Sequence, residues 1–160
     1  MSFSPHSRVW VYQSDREFTD KEAEAIQQRL NVFTEQWKAH GHQLDAKAEV
    51  LYNFFIVITV DEGAANVTGC SIDSSIRIIK EIEQAFHVDL LNRFNMGYKI
   101  DDKVVVTNKE DFETLINIKK IGPKTIVFNN MVQTLEEFEN KWEVPFEKSW
   151  HNSVFAHLLK

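Results

Sequence analysis

The chain contains few of the residues that build disulfides, metal clusters or unusual turns: one cysteine, five glycines and three prolines among 160 residues. A single cysteine excludes an intramolecular disulfide and a cysteine-rich metal cluster. Apolar runs are short as well. The longest, residues 54–60, is far below the roughly 20 residues that span a bilayer, so we expect no membrane insertion.

Positive charge is also scarce, because 18 lysines and arginines face 24 acidic residues and the net charge is −6. No cluster of basic residues occurs, which argues against nucleic acid as a partner and against an anionic membrane surface. Charged side chains are spread over the first twenty residues, so this segment does not resemble a signal peptide. The expected localisation is cytoplasmic.

The composition is that of a globular protein, with 43% hydrophobic residues, 26% charged residues and 12 phenylalanines. A chain of this length and composition can bury a packed core as one domain. We predict a single domain over residues 1–160, with a flexible arm at 1–7 and a C-terminal clasp at 143–160.

Alternating or continuous apolar residues predict the strands. Six segments have this pattern: residues 8–13, 46–52, 55–60, 95–100, 103–107 and 125–128. Asn53 and the pair Asp101-Asp102 supply turn residues between successive segments, which predicts two hairpins.

Capping residues followed by apolar residues at helical spacing predict the helices. Thr19 and Glu22 form a capping box, and Gly41 is typical of the end of that helix. A loop at 61–71 precedes a second helix, in which isoleucines recur from Ile72. Further helices are predicted to begin at the capping residues 107–110 and 134–137. A terminal helix is predicted after Pro145, which breaks the preceding one.

Short turns between strands, with helices between the groups of strands, predict an α+β fold. We expect a mostly antiparallel sheet of about five or six strands packed with three to five helices. A doubly wound parallel sheet needs a long crossover between neighbouring strands, which the short turn at Asn53 does not provide.

Four segments stand out by their order and spacing: SRVWVYQS at 7–14, TGCSIDSS at 68–75, TIVFNN at 125–130, and WEVP at 142–145 followed by SWH at 149–151. Together they resemble a family of small bacterial proteins of about this length that has no established function. Members of that family often carry the automatic name "ABC transporter ATPase". The resemblance therefore implies a label and no mechanism.

The label can be tested on the residues, because such an ATPase requires the P-loop pattern G-x-x-x-x-G-K-[ST]. The five glycines, at positions 41, 63, 69, 97 and 122, do not provide this spacing. Near Gly122, Asn117 replaces the first glycine and Pro123 removes an amide donor. Asp61 and Glu62 end an apolar strand, as the magnesium-binding acids of those enzymes do, but no phosphate cradle precedes them. The sequence predicts that the chain is not a P-loop ATPase.

The best candidate for a binding site is the segment 61–75, where small polar residues stand between a buried strand and a helix. Its candidate ligand-binding residues are Asp61, Thr68, Ser71, Asp73 and Ser74. Capping of the helix by Ser71 or Asp73 is the alternative use of the same side chains.

Cys70 lies in the same segment, and a thiol beside the first amides of a helix has a lowered pKa. His151 is a candidate base for it if the C-terminal segment folds back. Trp150 is a further candidate ligand-binding residue, and with Trp142 and His151 it forms an aromatic group around Pro145. That group either lines a pocket or closes over the core as a clasp.

His40 and His42 flank a glycine at a predicted helix end, an arrangement that suggests a metal ion. No third ligand can be identified from the sequence, so we predict no metal and no cofactor. Asn129 and Asn130 are turn formers after the last strand and also candidate polar ligands.

These observations favour a small binding or regulatory module that takes a small polar ligand or a protein partner at segment 61–75. A thiol-dependent enzyme with Cys70 as nucleophile and His151 as base is the alternative hypothesis. A structural or homo-oligomeric interaction protein that uses the aromatic C-terminus is a third.

Overall fold

A computed structural model of the chain describes residues 3–39, 41–61 and 69–159, and it leaves out the side chains of residues 39 and 69–71. The helices are α1 (Asp20–Gln36), α2 (Gly69–Phe86), α3 (Lys109–Asn117), α4 (Leu135–Lys141) and α5 (Trp150–Phe155), and short 3-10 turns cover Phe146–Lys148 and Ala156–Leu158. The strands are β1 (Arg8–Gln13), β2 (Lys38–Ala39), β3 (His42–Gln43), β4 (Asp45–Leu51), β5 (Phe55–Asp61), β6 (Met96–Ile100), β7 (Lys103–Thr107), β8 (Ile126–Phe128) and β9 (Glu143–Pro145).

The strands form two antiparallel sheets and a small ribbon. The first sheet has the order β1-β5-β4 and the second the order β7-β6-β8-β9, while β2 and β3 pair with each other. The α+β class is confirmed, and the antiparallel strands are divided between the two sheets.

Both predicted hairpins are present. β4 and β5 pair up to Leu51 and Phe55, on either side of Asn53. β6 and β7 are joined by Asp101 and Asp102, whose φ angles are 48° and 67°. Two consecutive positive φ angles define the type I′ turn, whose twist matches that of a hairpin.

Several predicted boundaries are wrong. α1 ends at Gln36 and not at Gly41, because Gly41 instead lies in the turn between β2 and β3, with φ +77°. α2 begins at Gly69, so the predicted loop at 61–71 is helical from that residue onward. Ser71 and Asp73 therefore lie within α2 and not at the residue that precedes it.

In the second half of the chain, α3 begins within the predicted capping segment 107–110, whereas the predicted role of Pro145 is corrected. α3 is capped by Asn108, whose side chain accepts a hydrogen bond from the Asp111 amide. Pro145 does not simply end a helix, because it belongs to the edge strand β9 and pairs with Ile126 of β8. A proline is tolerated on an edge strand, where its missing amide is not needed by a neighbour.

Three groups of buried side chains form the interior. The first lies between the first sheet and the helices α1 and α2; it includes Leu30, Ile58 and Ile79. The second lies between the second sheet, α3 and the C-terminal turns, and is rich in phenylalanine. The third joins the two sheets, because Phe55 of β5 lies 4.6 Å from Phe128 of β8 between ring centroids.

Described segments near both termini contact this framework. The predicted clasp buries Phe146 and Phe155 against Phe112 of α3. Near the N-terminus, within the predicted arm, the carbonyls of Pro5 and Ser7 accept hydrogen bonds from the first amides of α4. Among the described residues, none of the helices is long and apolar enough to cross a membrane.

Arg16 connects the start of α1 to the end of α2. Its guanidinium donates to both carboxylate oxygens of Glu22, at 2.9 and 2.8 Å, and to the Phe86 carbonyl at 2.6 Å. Glu22 also completes the capping box with Thr19. The hydrogen bonds from Arg16 and Thr19 lower the pKa of Glu22 to about 2.

We expect Arg16→Gln to raise the pKa of Glu22 toward its ordinary value near 4.5. Because the carboxyl pKa is lowered by folding, its contribution to stability is present above pH 4.5 and is lost as the pH falls toward 2. The variant should lose about 1 kcal/mol or less of unfolding free energy at pH 7, since the pair is partly exposed. An NMR titration of Glu22 that gives the same midpoint in both proteins would contradict the assignment.

Candidate functional site

A cavity of about 430 Å³ lies where the two sheets meet. All six residues of β1 line it on one side. Its other walls are the first half of α2, the segment before β6 and the loop after β8, and Trp150 and His151 of α5 also contribute. Five separate parts of the chain therefore surround one space.

The Gln13 side chain spans the wall of this cavity between the two sheets. Its amide nitrogen donates to the Asn95 carbonyl at 2.9 Å, and its oxygen accepts from the Asn130 side chain at 3.0 Å. Asn130 in turn accepts a hydrogen bond of 2.9 Å from the indole of Trp142. Gln13 is 6% exposed, so this chain of amides is an interior polar network with its partners in place.

Gly97 makes the close approach of Gln13 possible. A Cβ atom at position 97 would stand 2.6 Å from the Gln13 side-chain oxygen and 3.2 Å from the ring of Phe128. A glycine inside a strand is typical of such a close approach.

Two donors on the cavity lining have no hydrogen-bond partner among the residues that the structure describes. These are the side-chain nitrogen of Asn95 and the indole nitrogen of Trp150, and both are buried. A buried donor without an acceptor costs roughly 1–3 kcal/mol. An acceptor brought into the cavity would remove that cost.

His151 is almost fully buried at the same cavity, and its ring stacks on Trp150 with centroids 3.8 Å apart. Its Nδ1 atom is 2.6 Å from the Ser149 hydroxyl, which also caps α5. Burial lowers the pKa of His151 to about 4, so the ring is neutral near pH 7.

The charges on the cavity lining are of one sign. Arg8 and Arg93 line it, and the described lining residues include no aspartate or glutamate. Arg93 also acts electrostatically on Tyr12, whose phenol pKa is raised by burial. The rim is apolar, since Leu91 and Met131 line the cavity and Met131 is 64% exposed.

The residues predicted for the site fall into three groups. Thr68 lies outside the described residues, and Cys70 and Ser71 are placed only as backbone near the start of α2. Asp61 ends β5 and is partly buried, opposite Asp45 of β4. Trp150 and His151 lie at the cavity.

Asp73 and Ser74 are helical residues of α2 and do not line the cavity. Asp73 is exposed, and Ser74 lines a separate open cleft between α1 and α2. The neighbouring Ser75 is buried, and its hydroxyl donates to the Ile72 carbonyl within α2. From α2 the cavity receives Ile72 and Ile76 instead.

The predicted aromatic group around Pro145 is divided between two places. Trp150 and His151 stack at the cavity, whereas Trp142 packs between Phe55 and Phe128 in the third buried group. His40 lies outside the described residues, and no group of potential metal ligands is present among those that are described.

Sequence reasoning missed Gln13, Asn95, Gly97 and Arg93, and it gave Asn130 only as a turn former or polar ligand. One signal was available for Gly97, since a glycine inside a strand pattern indicates a close approach. The hydrogen bonds of Gln13 join residues 82 and 117 positions apart, and no local pattern indicates such partners.

Comparison with known proteins does not extend this description: no family model, no curated protein and no solved structure matches the chain. The fold and the cavity define an α+β protein with a cavity between two antiparallel sheets, lined by apolar residues and a few polar ones. Its function has to be inferred from that site.

We expect Gly97→Ala to destabilise the fold by about 1–3 kcal/mol, because the added methyl displaces Gln13 from its two partners. Gly122→Ala is the matched control, since a Cβ there meets no atom within 4 Å. Urea unfolding of both variants measures the difference. Equal stability of the two would show that Gln13 is not held tightly.

His151 should make the fold acid-sensitive in a defined range. Its pKa is lowered by folding, so stability is fully present above pH 6.5 and falls as the pH drops toward 4, by about 3 kcal/mol at most. His151→Gln should flatten this dependence, whereas His157→Gln, at an exposed histidine, should leave it unchanged. Thermal unfolding between pH 7 and 4 compares the three proteins, and an unchanged slope in His151→Gln contradicts the assignment.

Proposed function

We propose that the chain is a small binding module whose ligand occupies the cavity between β1, α2 and the loop after β8. The observation that carries this proposal is the pair of buried, unpartnered donors on Asn95 and Trp150, which line one cavity from distant parts of the chain. Uncompensated polar atoms are uncommon in protein interiors and often belong to functional sites. A ligand with hydrogen-bond acceptors would satisfy both donors.

The surroundings of the two donors support a bound molecule with apolar parts as well. Ile72, Ile76 and Phe128 contribute apolar surface, while Gln13 and Asn130 are already paired with each other. A mainly apolar lining with a few placed polar groups is the usual composition of a ligand site. Of the described side chains in the predicted segment 61–75, Ile72 lines this cavity, as a residue of α2.

A thiol-dependent enzyme remains the second candidate, because His151 and Ile72 line the same cavity and Cys70 precedes Ile72 by two positions. The properties of His151 favour the binding module. A base with a pKa near 4 is poorly matched to a thiol at neutral pH, and its Nδ1 atom already pairs with Ser149.

The two candidates differ in the reactivity of Cys70. For a binding module we expect the alkylation rate of Cys70 to rise with pH around the ordinary thiol pKa near 8.5, or to be slow throughout. An alkylation profile with a midpoint well below pH 7, lost in His151→Gln, would favour the enzyme instead.

The binding proposal predicts that the indole N–H of Trp150 serves the ligand and not the fold. Replacement of Trp150 by benzothienylalanine, in which a sulfur atom takes the place of the N–H and the two-ring shape is kept, should leave the unfolding free energy unchanged or slightly increased, because this N–H has no partner among the described residues. The same variant should weaken ligand binding by up to about tenfold, since one hydrogen bond contributes about 0.5–1.5 kcal/mol.

Binding can be measured by NMR with a library of fragments that carry carbonyl or carboxylate groups. We expect binding fragments to shift the indole N–H signal of Trp150, with the indole of Trp37, which does not line the cavity, as the internal reference. A library that shifts no cavity signal would refute the proposal. Substantial destabilisation by the benzothienylalanine variant would show that the indole nitrogen serves the fold.

A further inference from the structure

β1 is an edge strand of the first sheet: among the described strands it pairs with β5 alone, and on its other side Arg8 forms a single antiparallel bridge with Thr134. The Ser14 amide donates to the Phe54 carbonyl at 2.7 Å, directly beyond the paired residues of the two strands. In an antiparallel pair the hydrogen-bonded positions alternate. Trp10 and Tyr12 therefore form backbone hydrogen bonds with β5. The alternate residues of β1 direct their backbone N–H and C=O groups away from β5, to the other side of the strand.

That other side is the cavity. Val9, Val11 and Gln13 are the outward positions, and the Val9 amide donates to the Gln133 carbonyl at 3.0 Å, which establishes the direction. Beyond this bond, the outward amides of Val11 and Gln13 and the carbonyl of Val11 form no backbone hydrogen bond with any other described element.

The two ends of this open stretch are closed by the protein itself. The Gln133 carbonyl occupies the Val9 end, and the Gln13 side chain with Asn95 occupies the other. Between them β1 offers room for about three or four extended residues, at roughly 3.3 Å per residue.

We infer that the cavity receives an extended, acidic peptide segment that pairs with the outer edge of β1 as an additional antiparallel or parallel strand. Addition of a strand to an exposed edge is a recurrent way of recognising peptides, in which backbone bonds give affinity and alternate side chains give specificity. This inference rests on the proposed function, because it assigns a chemical class to the ligand of the same cavity.

The two faces of such a strand would meet different walls. Trp10 and Tyr12 pack toward the first buried group, on the side of α2, and Val11 packs toward the third group, which contains Phe128. A bound segment would therefore direct alternate side chains toward Ile76 and toward Phe128. Apolar residues suit both positions.

The positive charge on the cavity lining favours an acidic peptide. Arg93 lines the cavity without any carboxylate among the described lining residues, although the whole chain has a net charge of −6. A carboxylate on the segment, either a side chain or the C-terminus, has a favourable electrostatic environment there, and a basic segment does not.

The test uses a displayed library of random linear heptapeptides, followed by synthesis of the most enriched sequence with a fluorescent label. We expect enriched peptides to carry at least one acidic residue and to bind Val11→Ala much as they bind the wild type. Val11→Pro should weaken binding about tenfold or more, because it removes an outward amide and places a ring in the cavity. It removes no bond to β5, so far-UV circular dichroism should be unchanged.

A second measurement does not depend on a protein variant. Methylation of alternate backbone nitrogens of the labelled peptide should abolish binding in one register and leave it nearly intact in the other, since only alternate amides face β1. Arg93→Gln should weaken binding about two- to fivefold, with Arg77→Gln as control, because Arg77 lines the separate cleft.

The outcomes separate this inference from the proposed function. Equal binding by both methylated forms, or an unaltered affinity of folded Val11→Pro, would overturn strand addition. Enrichment of basic peptides would overturn the acidic class. If no peptide is enriched while fragments still shift the Trp150 indole, the inference fails and the binding site stands; if neither binds, both fail.

Discussion

One buried amide, that of Gln13, fixes how the two sheets meet. It stands at the end of β1 and forms hydrogen bonds to Asn95 and Asn130, both of which flank strands of the second sheet. The apolar contact between Phe55 and Phe128 holds the two sheets together but does not fix their relative orientation. The hydrogen bonds of Gln13 fix that orientation, because a buried donor or acceptor that lost its partner would cost roughly 1–3 kcal/mol.

The same constraint creates the cavity. Gln13 and the glycine at position 97 bring the sheets close at one end, and the bond from Val9 to Gln133 closes the other. Between them, no backbone group of the described residues pairs with the outer edge of β1. An exposed strand edge invites aggregation, and proteins usually cover or interrupt it. Here the edge is recessed between α2 and the loop after β8, where a narrow ligand fits more readily than another sheet. The unpaired donors of Asn95 and Trp150 lie along the same recess.

Local chemistry made much of the fold predictable. The hairpin at Asp101-Asp102 follows from residues that tolerate positive φ, and the start of α1 follows from the capping box at Thr19. The sequence predictions failed where one residue type is typical of two different structures. Gly41 is a turn glycine in a ribbon and not a helix end, and Pro145 occupies an edge strand where its missing amide has no consequence.

The site was far less predictable, for a physical reason. The polar segment before α2 drew attention because its small side chains suit both capping and binding, but Asp73 and Ser74 lie within the helix and away from the cavity. Trp150 and His151 were identified from their residue types. Gln13 and Asn95 carry no such signal, since an amide becomes significant only when burial and distant partners are known.

Native-state hydrogen exchange of the β1 amides tests most directly whether this edge is open. If the cavity exposes the edge of β1, the Val11 amide exchanges through small local fluctuations. The amides of Trp10 and Tyr12 are hydrogen-bonded to β5, so they exchange only by larger opening reactions and at least about a hundredfold more slowly. Comparable protection of Val11 and its two neighbours would mean that the edge is already covered. The cavity would then not be a site for strand addition.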